Sequence, residues 1–209
     1  MPLSKIQIDV LRLLAAHRDP ESYVAGATPL NRDAPRYSGD IDIFHDRQER
    51  VASAALSDAQ AIAAAGYAVR WLRQLPLMYT AEVTREGAST RLEWVADSDY
   101  RFFPTMQDEL FGYVLHPVDL AMNKVMAAAG RRELRDIVDL VMIHETILPL
   151  GATVWAGRKI TGLHARRVDC RDSAQLQLPG CRMAGAAVER TARPQRTSWR
   201  GFGRRWSRY

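Results

Sequence analysis

The sequence is poor in features that mark several common protein classes. It has two cysteines in 209 residues, Cys170 and Cys181, whose spacing fits no metal-binding pattern and which need not pair. No apolar run approaches the roughly 18 residues of a membrane-spanning helix. The N-terminal residues alternate polar and apolar and lack the apolar core of a signal peptide. We therefore expect a cytoplasmic protein with no membrane partner, folded as one globular domain with at most a small second lobe.

Acidic residues are scarce in one part of the chain only. Residues 157–209 hold 13 Lys and Arg against 3 Asp and Glu, whereas residues 1–156 hold 16 against 21. The formal net charge of +5 is thus the sum of a mildly acidic body and a strongly basic C-terminal segment. A composition change this sharp indicates a boundary.

Apolar spacing predicts the order helix, two strands, helix, three strands, two helices. The predicted elements lie at 4–17, 22–26, 40–46, 46–66, 67–75, 77–86, 89–97, 116–130 and 131–145. This order indicates an α/β (α+β) fold with a mixed sheet flanked by helices and a C-terminal helical part. We expect a core at 1–115, a helical segment at 116–150 that completes a cleft, and a basic irregular tail at 151–209.

The strand "DIDIFHD" places two aspartates one residue apart. Residues two apart in a strand point to the same face, so Asp40 and Asp42 present their carboxylates together, while Ile41 and Ile43 face a core. Two such carboxylates repel each other unless something positive lies between them, and Mg²⁺ is well suited to that position. The competing interpretation is an exposed strand face with two solvated acids.

A small-residue turn precedes the aspartate pair. Gly26 lets the backbone approach a phosphate closely, and Thr28 adds a hydroxyl. Taken alone, this segment indicates no more than an ordinary turn. Together with the aspartates it forms a pattern of apolar residue, Gly, small residue, about a dozen residues, and then Asp-apolar-Asp.

This pattern resembles the signature of the nucleotidyltransferases related to DNA polymerase beta, and more closely that of the AbiEii/AbiGii toxin type. The positions that match are Gly26, Thr28, Ser38, Asp40 and Asp42. Ala27 stands where that family usually has Gly or Ser, which adds a methyl group next to the expected triphosphate.

The segment "DLAMNKVMAAAGRRELRDIVDL" resembles the second conserved block of the same family. The resemblance implies that Lys124 neutralises the triphosphate and that Asp136 supports Lys124 or the acceptor. Two alternatives remain: Lys124 as a snorkelling surface lysine, and the pairs Arg132–Asp136 and Arg135–Asp139 as helix-stabilising i,i+4 contacts.

Relatives of this type often use a third carboxylate on a nearby strand. Glu93 in "RLEWVAD" is the candidate, and Asp97 and Asp99 at the end of that strand are alternatives. Glu93 faces opposite to its apolar neighbours, which places it either in the cleft or in water.

The resemblance covers residues 20–150 and implies a metal-dependent nucleotidyltransferase. It implies that Asp40 and Asp42 bind Mg²⁺ or Mn²⁺ and the substrate NTP, that Gly26, Ala27, Thr28, Ser38 and Lys124 form the nucleotide site, and that Asp40, Asp42, Lys124, Asp136 and Glu93 are catalytic. It also implies a toxin of a toxin–antitoxin or phage-defence pair, with RNA or tRNA as the acceptor and a cognate antitoxin protein as a partner. The alternative function is a catalytically impaired protein on the same fold that binds a nucleotide or a partner.

The basic segment has three interpretations. Arginines interleaved with aromatic residues favour a nucleic-acid-binding arm, and the lack of periodicity favours a disordered tail. A frameshift product after about Ala156 fits better, because a GC-rich gene read in the wrong frame yields Arg-rich sequence. Codons exist for residues 160–184 whose next frame reads "SPGFTPEGLIAEIRRNSNYPAAEW", which has the capping and apolar spacing of a helix.

Overall fold

A computed structural model describes residues 3–32, 36–97, 100–131 and 133–161, with the backbone alone for 157–161. The helices in this part of the chain are α1 Lys5–Leu14, α2 Ala27–Leu30, α3 Gln48–Ala64, α4 Pro117–Gly130, α5 Leu134–Thr146 and α6 Leu150–Thr161. The strands are β1 Ser22–Ala25, β2 Asp40–His45, β3 Ala68–Leu75, β4 Met78–Arg85, β5 Ala88–Ala96, β6 Met106–Asp108 and β7 Gly112–Val114. Arg132, Asp99, Cys170, Cys181 and the rest of the predicted tail after Thr161 lie outside the described residues.

The described strands form one mixed sheet in the order β3-β4-β5-β2-β1-β7-β6. Strands β2 and β5 pair in parallel, as do β1 and β7, and the other neighbours are antiparallel. The mixed sheet with flanking helices confirms the predicted fold class.

Local signals explain where several elements begin and turn. Ser4 caps α1 through a reciprocal pair of hydrogen bonds with Gln7, and Pro117 opens α4. Glu86 and Gly87 both have positive φ, 53° and 80°, which is the backbone of the two-residue hairpin turn between β4 and β5.

Two apolar clusters hold the sheet between its helices. One contains Val10 of α1, Ile62 of α3, and Ile41 and Ile43 of β2. The other contains Tyr23 and Ala25 of β1 with Leu120, Leu140 and Ile143 of α4 and α5, and Phe44 packs against it. Strand β2 thus contributes its isoleucines to one cluster and presents Asp40, Asp42 and Phe44 towards the side where α4 lies.

Helix α5 leaves part of its apolar side exposed and buries two acidic residues instead. The side formed by Leu134, Val138 and Val141 is exposed, with exposed fractions of 72%, 45% and 54%. The buried positions include Asp136 and Asp139, both fully buried. The orientation of α5 is thus set by two carboxylates as much as by Leu140 and Ile143.

The C-terminal helix crosses the boundary predicted at residue 150. Helix α6 runs to Thr161, so the first residues assigned to an irregular tail are helical. Within the described residues, no single helix has both the length and the apolarity to cross a membrane. Helix α5 and the segment 150–156 reach that threshold only when combined, and they meet at a bend of 109°.

Candidate active site

Strand β2 places the two aspartates on one face. Ile41 and Ile43 are buried at 0% and 1% exposure, while Asp40 and Asp42 are partly exposed on the opposite face. The alternation that the sequence shows is therefore kept in the structure, and both carboxylates line one cavity.

Strand β5 brings a third carboxylate to the pair. It lies parallel to β2 with Glu93 opposite Asp42 and Arg91 opposite Asp40. Glu93 lines the same cavity as the two aspartates. Asp97, the described alternative, lies at the end of β5, where its backbone N–H donates to the His45 carbonyl at 3.0 Å.

The side chain of Arg91 lies among these carboxylates. Its Nη2 donates to Asp40 Oδ2 at 2.8 Å, and its Nε lies 3.3 Å from Glu93 Oε1. Two close carboxylates need a nearby positive charge, and here the guanidinium provides it. Sequence reasoning missed Arg91 because Asp40 is 51 positions away along the chain and meets Arg91 only through the register of the sheet.

The donor set suits a divalent cation in its chemistry, since Asp40, Asp42 and Glu93 offer only carboxylate oxygens. Among the described residues, however, no group of three His, Cys, Asp or Glu side chains is already arranged as a metal cluster. The guanidinium of Arg91 occupies the space between two of the carboxylates. A cation bound there would have to displace it.

The carboxyl group of Asp42 is the most perturbed in the cavity. Burial, and then the negative charges of Glu93 and Asp40, raise the pKa of Asp42 to about 6, against the weaker effects of Lys124 and Arg91. A carboxyl group with a pKa near neutrality is typical of a functional site, because it can change protonation state at working pH.

Gly26 is packed directly against this carboxyl group. Its φ is +71°, and a Cβ at this position would lie 1.9 Å from Asp42 Oδ2. Only glycine fits this left-handed, crowded position. The turn therefore holds Asp42 in place as well as lining the cavity, and Ala27 lines the cavity beside it.

Thr28 and Ser38 support the strand that carries the aspartates. The hydroxyl of Thr28 donates to the Asp40 carbonyl and lies 3.2 Å from Ser38 Oγ, which is itself 3.3 Å from the Asp40 carbonyl. Ser38 lines the cavity, whereas Thr28 is fully buried and is not part of its lining. Thr28 is therefore placed to position Asp40.

Lys124 forms the wall opposite the carboxylates. It is 6% exposed, and its Nζ lies 2.8 Å from Asp139 Oδ2 and 3.4 Å from Asp136 Oδ1. A snorkelling surface lysine would keep its ammonium in water, so this interpretation does not hold for Lys124.

Asp136 and Asp139 hold two further cations beside Lys124. Arg131 donates to Asp136 at 2.7 and 3.1 Å, and Arg36 donates to Asp139 at 2.7 and 2.8 Å. Burial alone would raise the pKa of Asp136, but the Arg131 hydrogen bond and the Lys124 charge hold that pKa below its ordinary value.

The predicted i,i+4 contacts of α5 are replaced by contacts between elements. Asp139 binds Arg36, Lys124 and Asn31, whereas Arg135 lies 3.9 Å from Glu133. The Arg135–Asp139 pairing was therefore wrong. The pairing of Arg132 with Asp136 falls outside the described residues, and Asp136 binds Arg131 instead. No sequence signal separates Arg131 from Arg132, since both follow α4.

These groups surround one cavity of about 430 Å³, within the range of small-ligand sites. Its floor is the face of β2 and β5 that carries Asp40, Asp42 and Glu93. Its wall, called the α4 wall, is formed by α4 with Lys124 and by Arg131 directly after that helix. Negative and positive groups thus face each other across the cavity.

No family model matches the sequence, and no curated protein matches it. Solved structures do. A protein from H. pylori described as a nucleotidyltransferase is 15% identical, with a TM-score of 0.52 over 85% of this chain and 86% of that one. JHP933 from Helicobacter pylori is 15% identical, with a TM-score of 0.50 over 75% of this chain and 76% of that one.

MenT4, a nucleotidyltransferase toxin from Mycobacterium tuberculosis H37Rv, is 16% identical, with a TM-score of 0.57 over 79% of this chain. The match spans 65% of MenT4, slightly less than two thirds of its length. At these identities the likeness shows the fold alone. The chain therefore has the α+β fold of these three proteins, two of which are described as nucleotidyltransferases, and this confirms the fold that the two sequence blocks predict.

Proposed function

We propose that the protein is a metal-dependent nucleotidyltransferase that moves a nucleoside monophosphate from an NTP to an acceptor. One observation carries the proposal: a single cavity has the carboxylates of Asp40, Asp42 and Glu93 on its floor and the buried Lys124 in its wall. Carboxylates that can hold a cation, facing a fixed ammonium, suit the transfer of a charged phosphate group.

The residues divide the reaction between the two sides of the cavity. Lys124 and Arg131 attract the β- and γ-phosphates, and Gly26 allows close approach of the backbone. Asp40 and Asp42 would hold Mg²⁺ or Mn²⁺, which supplies Lewis-acid stabilisation of charge on the phosphate oxygens when bound. The acceptor hydroxyl forms a bond to the α-phosphorus, the bond from that phosphorus to the β-bridging oxygen breaks, and pyrophosphate leaves.

Glu93 is placed to take the proton that the acceptor hydroxyl loses. It lies beside Asp42 in the neighbouring strand and lines the same cavity, while Asp40 and Asp42 would hold the cation. Asp136 does not reach the floor: it is fully buried and positions Lys124 and Arg131.

The biological role that we propose follows the fold and the family resemblance. MenT4, one of the proteins with this fold, is a nucleotidyltransferase toxin. We propose the same kind of role here, as the toxin of a toxin–antitoxin or phage-defence pair, with RNA such as tRNA as acceptor and an antitoxin protein as partner.

Transfer of label from each α-labelled NTP to a total RNA fraction tests the activity. Asp42→Asn should reduce transfer about 100-fold or more, because it removes a carboxylate from the reacting centre while keeping its shape. Asp9→Asn, which changes a surface pair with Lys5, should leave transfer within about twofold of wild type. Equal transfer by wild type and Asp42→Asn would exclude the assignment.

A second candidate function is nucleotide binding without transfer, and Arg91 favours it. The guanidinium already pairs with Asp40 and Glu93 and offsets part of their negative charge, which favours binding of a triphosphate against Lys124 and Arg131 with no metal present. Binding of NTP that persists in EDTA, together with absence of transfer in Mg²⁺ or Mn²⁺, would distinguish this candidate from the enzyme.

A further inference from the structure

The cavity has an apolar end that its charged groups do not explain. Strand register puts Val95 of β5 between Phe44 of β2 and Met78 of β4. All three residues line the cavity, as does Leu120 of α4. We call the side chains of Phe44, Met78 and Val95 the apolar row.

The apolar row has a fixed place relative to the carboxylates. Phe44 is two residues beyond Asp42, and Val95 is two residues beyond Glu93. Two residues of strand span roughly 7 Å, so the row lies one step along the floor from the proposed reacting centre.

The α4 wall is likewise apolar at one end and positively charged at the other. Leu120 lies at its apolar end, Lys124 one turn later, and Arg131 about two turns beyond Lys124. The cations and the apolar row thus lie on opposite sides of Asp42 and Glu93.

Asn123 stands between the two ends of that wall. It is half-buried and lines the cavity. Within the described residues, the hydrogen bonds of this wall run through Lys124, Arg131 and Asp136, and none engages the Asn123 side-chain amide. A half-buried amide with its donor and acceptor both available is suited to read a polar ligand edge.

We propose that the apolar row binds the base of the incoming nucleotide and that Asn123 hydrogen-bonds to the base edge or ribose, which makes it a specificity-determining residue. This inference rests on the proposed function. With the β- and γ-phosphates on Lys124 and Arg131 and the α-phosphate at the carboxylates, a ribose that continues along the floor away from the cations reaches the apolar row. The base then lies against the apolar row, where it can stack on the ring of Phe44.

Inorganic tripolyphosphate carries the phosphates without a nucleoside. Comparing its affinity with that of an NTP therefore distinguishes binding at the apolar row from binding at the phosphate site. Its affinity and that of each NTP are measured by calorimetry in the same Mg²⁺ buffer. Asn123→Ala should weaken NTP binding by about 3- to 10-fold for the best-bound NTP and leave tripolyphosphate binding within twofold. Met78→Ala, which removes apolar contact without touching a core cluster, should weaken NTP binding to a similar extent.

Two controls bracket the result. Arg131→Gln should weaken the binding of both ligands, and Gln60→Ala, on the exposed side of α3, should weaken neither. The inference is overturned if Asn123→Ala and Met78→Ala leave NTP binding unchanged, or if they weaken both ligands equally. Wild-type protein that binds neither ligand would overturn the proposed function itself.

Discussion

At the scale of single residues, Arg91 decides how the carboxylates behave before any ligand binds. It bridges Asp40 and Glu93 with a guanidinium that is nearly half exposed. An arginine in this place reduces carboxylate repulsion and competes with a divalent cation for the same oxygens.

Arg91→Gln should therefore bind Mn²⁺ more tightly than wild type. Removing one positive charge next to a divalent ion in a solvent-exposed site raises affinity by roughly 10-fold. Free Mn²⁺ measured by electron paramagnetic resonance reports the change. Arg70→Gln, which loses a surface pair with Glu82, should leave the affinity unchanged. An unchanged or weaker affinity for Arg91→Gln would show that Arg91 does not compete with the metal.

The pKa of Asp42 makes the free energy of unfolding fall as pH rises, whereas most carboxylates in folded proteins make it rise. Its folded pKa of about 6 lies above the ordinary value of 3.8, so the folded state holds this proton more tightly than the unfolded state does. The corresponding stabilisation is present below about pH 3.8 and is lost as pH rises through about 6.

Asp42→Asn should consequently be more stable than wild type at pH 8, by about 1–3 kcal/mol, and nearly equal to it at pH 4. Urea unfolding in EDTA at both pH values measures the difference. Parallel pH curves for the two proteins would contradict the raised pKa.

At the scale of elements, α4 and α5 are joined by buried charge. Asp136 and Asp139 of α5 bind Lys124 of α4, Arg131 just beyond it, and Arg36 from the segment before β2. The same contacts aim Lys124 into the cavity, so this cluster stabilises the helix pair and shapes the site at once.

Asp139→Asn should destabilise the fold by about 3 kcal/mol, since it leaves Arg36 and Lys124 short of a buried counter-charge. Glu82→Gln removes an ion pair on the surface of β3 and β4 and should cost less than about 1 kcal/mol. Chemical denaturation of both variants gives the comparison. Equal losses would mean that the buried cluster contributes no more than a surface pair.

The elements that could be predicted are those with a strong local pattern. Strand β2 alternates and α4 has Pro117 at its start, so both were found from the sequence, as were the neighbouring strands β4 and β5. Helix α2, at four residues, and strands β6 and β7, at three each, are too short to show a period.

The site could be predicted where its residues stand in a local sequence pattern, and not where distant residues meet. Asp40, Asp42 and Lys124 stand in recognisable blocks, but the contacts of Arg91 and Arg36 join residues 51 and 103 positions apart. Such contacts arise from sheet register and helix packing, which local periodicity does not contain. The buried side of α5 could not be predicted for a related reason. Asp136 and Asp139 are buried because cations from other elements bind them there.

At the scale of the whole molecule, two features concern the C-terminal part of the chain. The charge changes from acidic to basic after residue 156, and α5 exposes Leu134, Val138 and Val141 along one side. An exposed apolar helix side of this kind usually has a covering element in a stable protein. The frameshift interpretation accounts for both features, because a helix encoded in the next frame would supply an apolar face.

The codons of residues 160–184 should therefore read, one base later, as the amphipathic string given above. A chain that carries that string should have a higher urea midpoint than the present chain at equal protein concentration. Codons that do not give the string, or an equal midpoint, would contradict the interpretation.

The position of label in the product tests the central claim most directly. Wild-type protein is given α-labelled and γ-labelled forms of the same NTP in parallel, with the RNA acceptor fraction and Mg²⁺ or Mn²⁺. Nucleotidyl transfer at Asp40, Asp42 and Glu93 predicts that the α-label enters the product while the γ-label leaves with pyrophosphate. Entry of the γ-label into the product, or of neither label with any NTP, would contradict the account.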